Sequence, residues 1–302
     1  MDSTNDFRGS YGANSINVEI SDKYDGITVK DFLKSELHLS ATLIKHVKFG
    51  GIHVNGNGVT VRAVLKVGDE LVIDFPSENS ENIEPIATPL KIIYEDEYLL
   101  AVDKPADMPV HPSKGNHMVT LANAVAAYMG GNFVFRAINR LDRDTSGIVI
   151  IAKNQFVASR LSDSMKNGAF EKSYHALLAS TPTERCGIIN APIEREMEGN
   201  IKRVVRSDGK QAITEYTVLR SLADGRALCE IRLHTGRTHQ IRVHMAHIGA
   251  PLFADFLYGC AVLGKKYYLR CTNIRFPHPI TEQIIDLRVP HDFPIEIGPE
   301  NC

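Results

Sequence analysis

At 302 residues, with 43% hydrophobic and 23% charged side chains, the chain has the composition of an ordinary globular protein and can bury one large core, or a large one and a small one. Its 34 Lys and Arg against 36 Asp and Glu exclude a protein whose overall charge attracts nucleic acid, so any polyanion must bind a local basic surface. The five cysteines are odd in number and form no CxxC pair, which argues against a disulfide framework and a thiolate metal site. No apolar run approaches the roughly 20 residues that span a membrane, which argues against a membrane protein.

The N-terminal quarter of the chain predicts a compact helical and hairpin unit. Its start, MDSTNDFRGS, lacks the basic residues and apolar stretch of a signal peptide, so we expect a cytoplasmic protein. Apolar residues at helical spacing predict two short helices within residues 27–47, with Ser40 as the N-cap of the second. Alternating residues on either side of NGNG, residues 55–58, predict a hairpin, and KVGDELVIDF adds a turn and a strand.

This helix-helix-hairpin unit resembles the S4-type RNA-binding domain through the stretches DFLKSELHLSATLIKHVKFGGIHVNG and KVGDELVI. Such domains present their second helix and the adjoining hairpin to folded RNA. The resemblance implies a small domain over residues 15–78 that contacts phosphates, and each neutralised phosphate steepens the salt dependence of binding. A solvated basic surface on an accessory domain is the alternative. The residues expected to face RNA are Lys45, His46, Lys48 and Arg62.

A polar, acidic segment with prolines follows, and we predict a linker over residues 79–89 and a larger domain over residues 90–302. LKIIYEDEYLLAVDKP predicts two strands, IVIIA a buried strand, and EKSYHALL, AITEYTVLRSL, RALCEIRLHT and KYYLRCTNIRF further strands. Helices are predicted after the caps Thr120 and Asn154 and from Thr238 onward. Consecutive strands outnumber helices, which predicts an α+β fold with a mostly antiparallel, mixed central sheet and flanking helices.

Three segments are dense in functional groups: NRLDRDTSG (139–147), EKSYHALL (171–178) and LHTGRTHQIRVHMA (233–246). Their order and content, with EDEYLLAVDKP upstream and GAPLFADFLYG downstream, closely resemble the RluA/RluD-type pseudouridine synthases from about Leu90 to Phe293. The resemblance implies the pseudouridine synthase fold behind an S4-like domain, and isomerisation of uridine to pseudouridine in RNA without a cofactor or a metal. Members with such a domain more often act on large-subunit ribosomal RNA. The expected partner is therefore RNA, of ribosomal origin, bound by a monomer.

The implied reaction needs few groups. When the bond from ribose to uracil N1 breaks, positive charge builds on the sugar, and one ionised carboxylate can stabilise or capture it. The family assigns this role to the aspartate of RLD, here Asp142; attack on the ribose, attack on the uracil and assisted elimination all remain open. Arg237 matches the arginine that pairs with this carboxylate, since a guanidinium fork suits the pairing. Tyr174 matches the tyrosine that stacks on the target base and can assist proton removal from C5.

Basic residues around these motifs are expected to bind the RNA backbone once the target base has left its stack. Arg140 and Arg143 are expected to hold flanking phosphates or to fill the gap, while Asp144 anchors the turn and Thr145 and Ser146 tie its backbone. A solvated charged surface is the alternative for the remaining cations. The basic surface predicted near the rim of the site comprises Lys202, Arg203, Arg206, Lys210, Arg232, Arg237 and Arg242.

Two positions depart from the family pattern, and two other functions compete. Asn139 stands where histidine is common before RLD, and Asp107 stands where KPAG has glycine, which predicts a turn that tolerates a side chain. A metal hydrolase is suggested by a cluster of histidines, although their spacing fits no common zinc motif. A non-catalytic RNA-binding or ribosome-assembly protein would not need Asp142, Arg237 and Tyr174. The clustered histidines are His234, His239, His244 and His247.

Overall fold

The computed structural model describes most of the chain, and the described residues form a five-stranded sheet, a nine-stranded sheet and a two-stranded hairpin. Among them, no helix combines the length and apolar character needed to cross a membrane. The described residues are 9–12, 15–76, 83–112, 118–131, 133–259, 261–264, 266–291 and 293.

The smaller sheet lies in the N-terminal part of the chain, where sequence analysis predicts two helices and a hairpin. Its elements are β1 (Gly9–Tyr11), β2 (Ser15–Glu19), α1 (Val29–Ser35), α2 (Ala41–Val47), β3 (Ile52–Val54), β4 (Asn57–Gly58) and β5 (Glu70–Asp74). The strand order is β1-β2-β5-β3-β4, so β5 lies between the hairpin and β2, a strand that the sequence pattern does not predict. Ser40 caps α2 as predicted, because its side chain accepts the Leu43 N–H.

The larger sheet and its helices come from the remainder of the chain. The strands are β6 (Ile92–Glu95), β7 (Leu99–Lys104), β8 (Ser146–Ala152), β9 (Glu171–Leu178), β10 (Cys186–Asn190), β11 (Ile193–Arg195), β12 (Arg203–Val205), β13 (Ile213–Ser221), β14 (Ala227–Leu233), β15 (Leu269–Pro277) and β16 (Ile284–Arg288); the helices are α3 (Leu121–Tyr128), α4 (Gln155–Lys166) and α5 (Gln240–His247). Strands β11 and β12 pair only with each other, and the main order is β10-β13-β14-β9-β15-β8-β7-β6, with β16 beside β15. The predicted α+β class with a mixed, mostly antiparallel sheet is confirmed, since β8 and β15 run parallel while the neighbouring pairs are antiparallel.

The helix caps explain where the helices begin. Thr120 and Asn154 accept backbone N–H groups of α3 and α4, as predicted. The predicted start of α5 at Thr238 is wrong, because the N-cap is His239 in a left-handed conformation with φ of 57°. This conformation is costly for a residue with a Cβ, and it turns the chain sharply between β14 and α5.

The register of the large sheet places the three motifs side by side. Cys271 of β15 pairs with Gly147 of β8 on one side and with Tyr174 of β9 on the other. Adjacent strands lie about 4.8 Å apart, so the NRLDRDTSG turn, which leads into β8, is about 10 Å from the Tyr174 backbone. A Cβ on Gly147 would lie 2.6 Å from the Cys271 nitrogen, so only glycine permits this approach.

The N-terminal unit packs against the first turns of α4. The Ser40 N–H donates to the Ser159 hydroxyl at 2.9 Å, and the Phe75 and Phe156 rings stack with centroids 6.1 Å apart. The far end of the same helix, at Met165, lines the cavity described below. The boundaries at residues 78 and 89 stay predictions, and residues 79–82 of the predicted linker lie outside the described residues.

Candidate active site

A cavity of about 540 Å³ opens where the three motifs meet. Its wall includes Asp142 from NRLDRDTSG, Tyr174 from EKSYHALL and Arg237 from LHTGRTHQIRVHMA. A recess of about 60 Å³ shares these three residues and adds His239 and Arg242. The residues predicted to be catalytic are therefore brought together, although the contacts among them differ from those expected.

Asp142 lies on a short turn that is clamped to β8. The Thr145 N–H donates to the Asp142 carbonyl at 3.1 Å and closes the turn. Buried Asn139 donates to the Ile148 carbonyl and accepts the Ile150 N–H, both at 2.9 Å. The Asp142 side chain is 29% exposed, so its carboxylate is accessible from the cavity. An asparagine in place of the family's histidine thus fixes the segment before RLD to the buried strand.

The Thr145 and Ser146 side chains bind residues outside the turn rather than the backbone of the turn, contrary to the prediction. The Thr145 hydroxyl lies 3.3 Å from the Tyr267 hydroxyl, and the Ser146 hydroxyl accepts from Arg270 at 3.2 Å. The turn is therefore attached to β15 and to the segment before it. Nonlocal partners of this kind cannot be read from the local sequence pattern.

The cation beside Asp142 is Arg242, and the expected ion pair between Asp142 and Arg237 is wrong. Arg242 Nη1 lies 3.4 Å from Asp142 Oδ2. Arg237 is exposed, and its Nε donates to the Gln211 carbonyl at 2.9 Å. Arg242 is also buried, which overturns its assignment to an exposed RNA-binding surface. Arg237 lies in the loop before α5, as its position before the predicted helix implies, whereas Arg242 is the third helical residue and is buried.

Asp255 fixes the Arg242 guanidinium, and sequence analysis missed this partner although it lies within GAPLFADFLYG. Its fully buried carboxylate accepts from Arg242 Nε at 2.7 Å and from Nη2 at 2.8 Å. The guanidinium carbon also lies 4.4 Å from the Tyr267 ring centroid and 4.9 Å from that of Tyr258. Burial alone would lower the pKa of Arg242, but the Asp255 hydrogen bonds and charge raise it above its usual value. The guanidinium is therefore a permanent, immobile cation.

His239 is the second group that faces Asp142. Its Nε2 lies 3.7 Å from Asp142 Oδ2, and its Nδ1 lies 2.7 Å from the Tyr258 hydroxyl. This hydroxyl already accepts the Arg203 N–H at 2.9 Å, so its own proton is available to Nδ1. The hydrogen-bond network therefore assigns the imidazole proton to Nε2, toward the carboxylate. Burial lowers the pKa of His239, which keeps the ring neutral near pH 7.

Buried Gln240 shapes the loop that carries these groups. Its carbonyl accepts from the Thr235 hydroxyl and from the Arg237 N–H, both at 2.9 Å. Its amide donates to the Ile213 carbonyl at 3.0 Å and to the Thr214 hydroxyl at 2.9 Å. The two accepted hydrogen bonds hold the loop before α5, and the two donated ones join the helix to the first residues of β13, so a buried side chain fixes the orientation of α5.

Lys104 supports the Asp142 turn from the core, and sequence analysis missed it. The fully buried ammonium donates to the carbonyls of Pro105, Met108 and Arg143 at 2.9, 2.8 and 3.1 Å. Burial lowers its pKa to about 8, against the opposing effect of nearby carboxylates. A lysine at the end of a fully buried strand is the signal that could have found it.

The carboxylate that follows, Asp144, anchors the turn as expected. Arg143 Nε and Nη2 lie 3.1 and 3.0 Å from its oxygens, and Lys266 lies 3.6 Å away. Lys266 also binds Asp107 at 2.6 Å. Arg143 is paired with Asp144, but it is 45% exposed and lines the cavity, so its expected role in holding phosphates or filling the gap stays a prediction. Asp107 has φ of 66°, which confirms the predicted left-handed turn.

Tyr174 is buried and forms the opposite wall of the cavity. Burial raises its pKa well above the usual value, so the phenol keeps its proton in the free protein. Stacking on the target base and assistance in proton removal both stay predictions for Tyr174. Lys172 lines the same wall, and burial lowers the pKa of its ammonium.

Comparison with known proteins decides the family. Residues 98–247 match the family model described as RNA pseudouridylate synthase. The chain is 37% identical to YjbO, an uncharacterized RNA pseudouridine synthase of Bacillus subtilis, over 87% of this chain and 95% of the relative. The chain belongs to the RNA pseudouridylate synthase family.

Other relatives agree with this assignment. The synthase is 33% identical to ribosomal large subunit pseudouridine synthase D of Zymomonas mobilis, over 82% of this chain and 84% of the relative. Its structure matches human RNA pseudouridylate synthase domain containing 1 with a TM-score of 0.58 and 26% identity, over 69% of this chain and 86% of that chain. The predicted enzyme class, an RNA pseudouridine synthase, is confirmed.

The cations of the N-terminal unit of the synthase lie at the surface. Lys45, His46, Lys48 and Arg62 are all exposed, as binding to phosphates requires. Phe49, which sequence analysis did not consider, is 79% exposed, and the Lys48 ammonium lies 5.1 Å from its ring centroid. An exposed aromatic ring beside a cation is a common platform for unstacked bases. Contact of these residues with RNA stays a prediction.

The cations around the cavity of the synthase differ in whether a carboxylate of the protein binds them. Arg140 is exposed and lines the cavity, as expected of a residue that meets RNA. Lys202 and Arg206 instead bind Glu196 at 3.0 Å and Asp208 at 2.5 Å. Their charges are therefore partly neutralised within the protein. Arg232 is exposed on β14.

The clustered histidines of the synthase point to separate partners. His234 lies 3.2 Å from Glu215, and His239 contacts Tyr258 as described. His244 is buried between the Thr214 hydroxyl and the Ala191 carbonyl. Within the described part of the chain, no group of three or more His, Cys, Asp and Glu side chains is placed to hold a metal ion.

Proposed function

We propose that this synthase isomerises uridine in large-subunit ribosomal RNA and that Asp142 is its catalytic carboxylate. The observation that carries the proposal is the position of Asp142, which lies on the cavity wall with Arg242 behind it and Tyr174 lining the same space. The ribosomal substrate is supported by the relative named ribosomal large subunit pseudouridine synthase D.

The reaction exchanges one bond for another within the same nucleotide. The bond from ribose C1′ to uracil N1 breaks, the detached ring turns, and a bond from C1′ to C5 forms. The C5 proton then leaves, and N1 gains a proton, so the atoms balance without a redox partner. A cavity enclosed by Tyr174 and Leu233 can hold the ring during rotation, because stacking tolerates changes of orientation.

Asp142 meets the requirements for stabilising the sugar or forming a covalent intermediate. Its carboxylate is accessible, while the buried Arg242 cation stabilises its negative charge. The His239 Nε2–H also faces this carboxylate and can donate a hydrogen bond to it. Attack on the ribose, attack on the uracil and elimination all use a carboxylate at this position.

The target base must leave its stack to reach this cavity, at a cost of a few kcal/mol. Arg140 is exposed and lines the cavity, which supports a role in holding or replacing the extruded nucleotide. The N-terminal cations provide a second contact with folded RNA, which compensates for the nearly neutral net charge.

A pseudouridine map of cells lacking the gene, complemented with wild type or with Asp142→Asn, tests the proposal. We expect specific sites in large-subunit ribosomal RNA to disappear and to return only with the wild type. Sites confined to other RNA would contradict the ribosomal substrate. Restoration by Asp142→Asn would contradict the catalytic role, and a protein that only binds RNA would leave the map unchanged.

A further inference from the structure

A second cavity, of about 330 Å³, adjoins the catalytic cavity and is strongly basic. The two cavities share Arg140, Gly236, Arg237 and Thr238, so these residues form the boundary between them. Five cations and one carboxylate, Glu194, line the second cavity. The cations are Arg140, Arg195, Arg203, Lys210 and Arg237.

These five cations differ from several other arginines of the synthase, because they have no carboxylate partner among the described residues. Among the described residues none of the five forms an ion pair, whereas Arg206, Arg275 and Arg288 all bind a nearby carboxylate. The Glu194 carboxylate accepts the Arg195 backbone N–H at 2.8 Å rather than a side chain. The positive charge of the cavity is therefore not neutralised by the protein.

The hairpin geometry concentrates this charge further. Arg195 of β11 pairs directly with Arg203 of β12, and like charges directly opposite each other destabilise a strand pair. Arg203 Nη1 is buried without a hydrogen-bond partner, although an unsatisfied buried donor costs stability. Lys210 is held beside them through backbone hydrogen bonds with Ile193 at 2.9 and 3.0 Å. An anion between these side chains would satisfy the donor and relieve the repulsion.

We infer that this cavity binds a backbone phosphodiester of the RNA strand close to the target uridine. The inference rests on the proposed function for the identity of the anion, since a strand whose base enters the catalytic cavity must run past Arg140 and Arg237. Guanidinium forks suit a phosphate because they donate two parallel hydrogen bonds. The cavity therefore determines where the strand lies and adds affinity without contacting the reacting atoms.

The test uses the full chain and fluorescein-labelled decauridylate, with anisotropy measured over a range of salt concentrations. Arg195→Gln and Lys210→Gln change exposed side chains and leave the fold intact. Arg288→Gln is the matched control, because it removes the same charge from an exposed arginine that is paired with Asp286. We expect each cavity variant to bind about tenfold more weakly and the salt slope to fall by about 0.7, with the control unchanged.

Equal affinity and slope in the cavity variants and the control would overturn the inference. If calorimetry shows that inorganic phosphate binds the wild type but not Arg195→Gln, while decauridylate binding is unchanged, the cavity takes free phosphate and not RNA. With an RNA that the wild type modifies as substrate, the cavity variants should show a raised KM and an unaltered kcat. A loss confined to kcat would also overturn the inference. If the wild type binds decauridylate but modifies no RNA, the proposed function fails. The affinities and salt slopes of the cavity variants and the control then still test whether the cavity binds a phosphodiester.

Discussion

Replacing Arg242 by lysine keeps a positive charge near Asp142 but removes the guanidinium fork. The native side chain donates to Asp255 at 2.7 and 2.8 Å and lies 3.4 Å from Asp142. A single ammonium on a shorter side chain cannot satisfy both carboxylates in these directions. Asp255, which is fully buried, then loses at least one of its hydrogen bonds.

The magnitude follows from these contacts. One buried hydrogen bond to a charged group contributes about 1.5–3 kcal/mol, so the free energy of unfolding of Arg242→Lys should fall by about that amount. A fixed donor that stabilises charge in the transition state contributes about 10²–10³ to kcat. We therefore expect kcat to fall about a hundredfold or more, while the affinity for RNA changes little because Arg242 is buried.

Arg237→Lys is the matched variant, because it makes the same substitution five residues earlier in the motif. The Arg237 side chain is exposed and donates a hydrogen bond to the Gln211 carbonyl. Its free energy of unfolding should change by less than about 0.5 kcal/mol. Its kcat should be retained, and any loss should appear in KM.

Single-turnover pseudouridine formation with enzyme in excess, together with urea unfolding, separates these effects. The RNA is the one identified by the pseudouridine map. If Arg237→Lys abolishes the single-turnover rate while Arg242→Lys keeps it, the assignment of Arg242 as the partner of Asp142 is refuted.

Three further predictions concern the groups around the turn. Gly147→Ala should lower the free energy of unfolding, measured in urea, by more than about 2 kcal/mol, because the added Cβ would collide with the β15 backbone. Gly225 is the control, since it also has positive φ but its added Cβ would meet no atom within 4 Å, so Gly225→Ala should lower the free energy of unfolding by less. Equal losses would contradict the close approach of β8 and β15. Lys104 has a pKa of about 8 in the folded protein and about 10.4 in the unfolded chain, so the unfolded chain binds more protons between these pH values. As the pH rises from 7 to 10, the free energy of unfolding of wild type should therefore increase by up to about 3 kcal/mol relative to that of Lys104→Met. A constant difference would refute the lowered pKa. Burial lowers the pKa of His239, so the stability that this residue contributes is present above pH 6.5 and is lost on acidification. Below pH 6.5 the free energy of unfolding should therefore fall more steeply for wild type than for His239→Asn, which tolerates positive φ, and identical pH profiles in urea unfolding would exclude this role of His239.

Much of the architecture could be predicted because local signals dominate it. The caps Ser40, Thr120 and Asn154 and the alternating strands on either side of RLD are local patterns, and they are found where expected. Strands β1, β2, β10, β11, β12 and β16 are absent from the sequence-based prediction, because they are short and most of them pair with residues far away in sequence. The approach of β8 to β15 likewise depends on a distant strand.

The site shows the same division between local and distant determinants. Asp142 and Tyr174 could be located from their motifs, but the choice between Arg237 and Arg242 could not be made from spacing. Contacts with other segments decide it: Gln240 donates hydrogen bonds to β13 that orient α5, and Asp255 binds the Arg242 guanidinium in the interior.

The most direct test of the central claim is the single-turnover formation of pseudouridine by Asp142→Asn, measured beside RNA binding by the same preparation. The side chain is partly exposed, so the variant should fold normally. We predict a rate reduced by at least about 10³ with RNA affinity within a few fold of wild type, because the carboxylate contributes to the reaction and not to backbone binding. A rate within tenfold of wild type would contradict the account and place the chemistry on another group in the cavity.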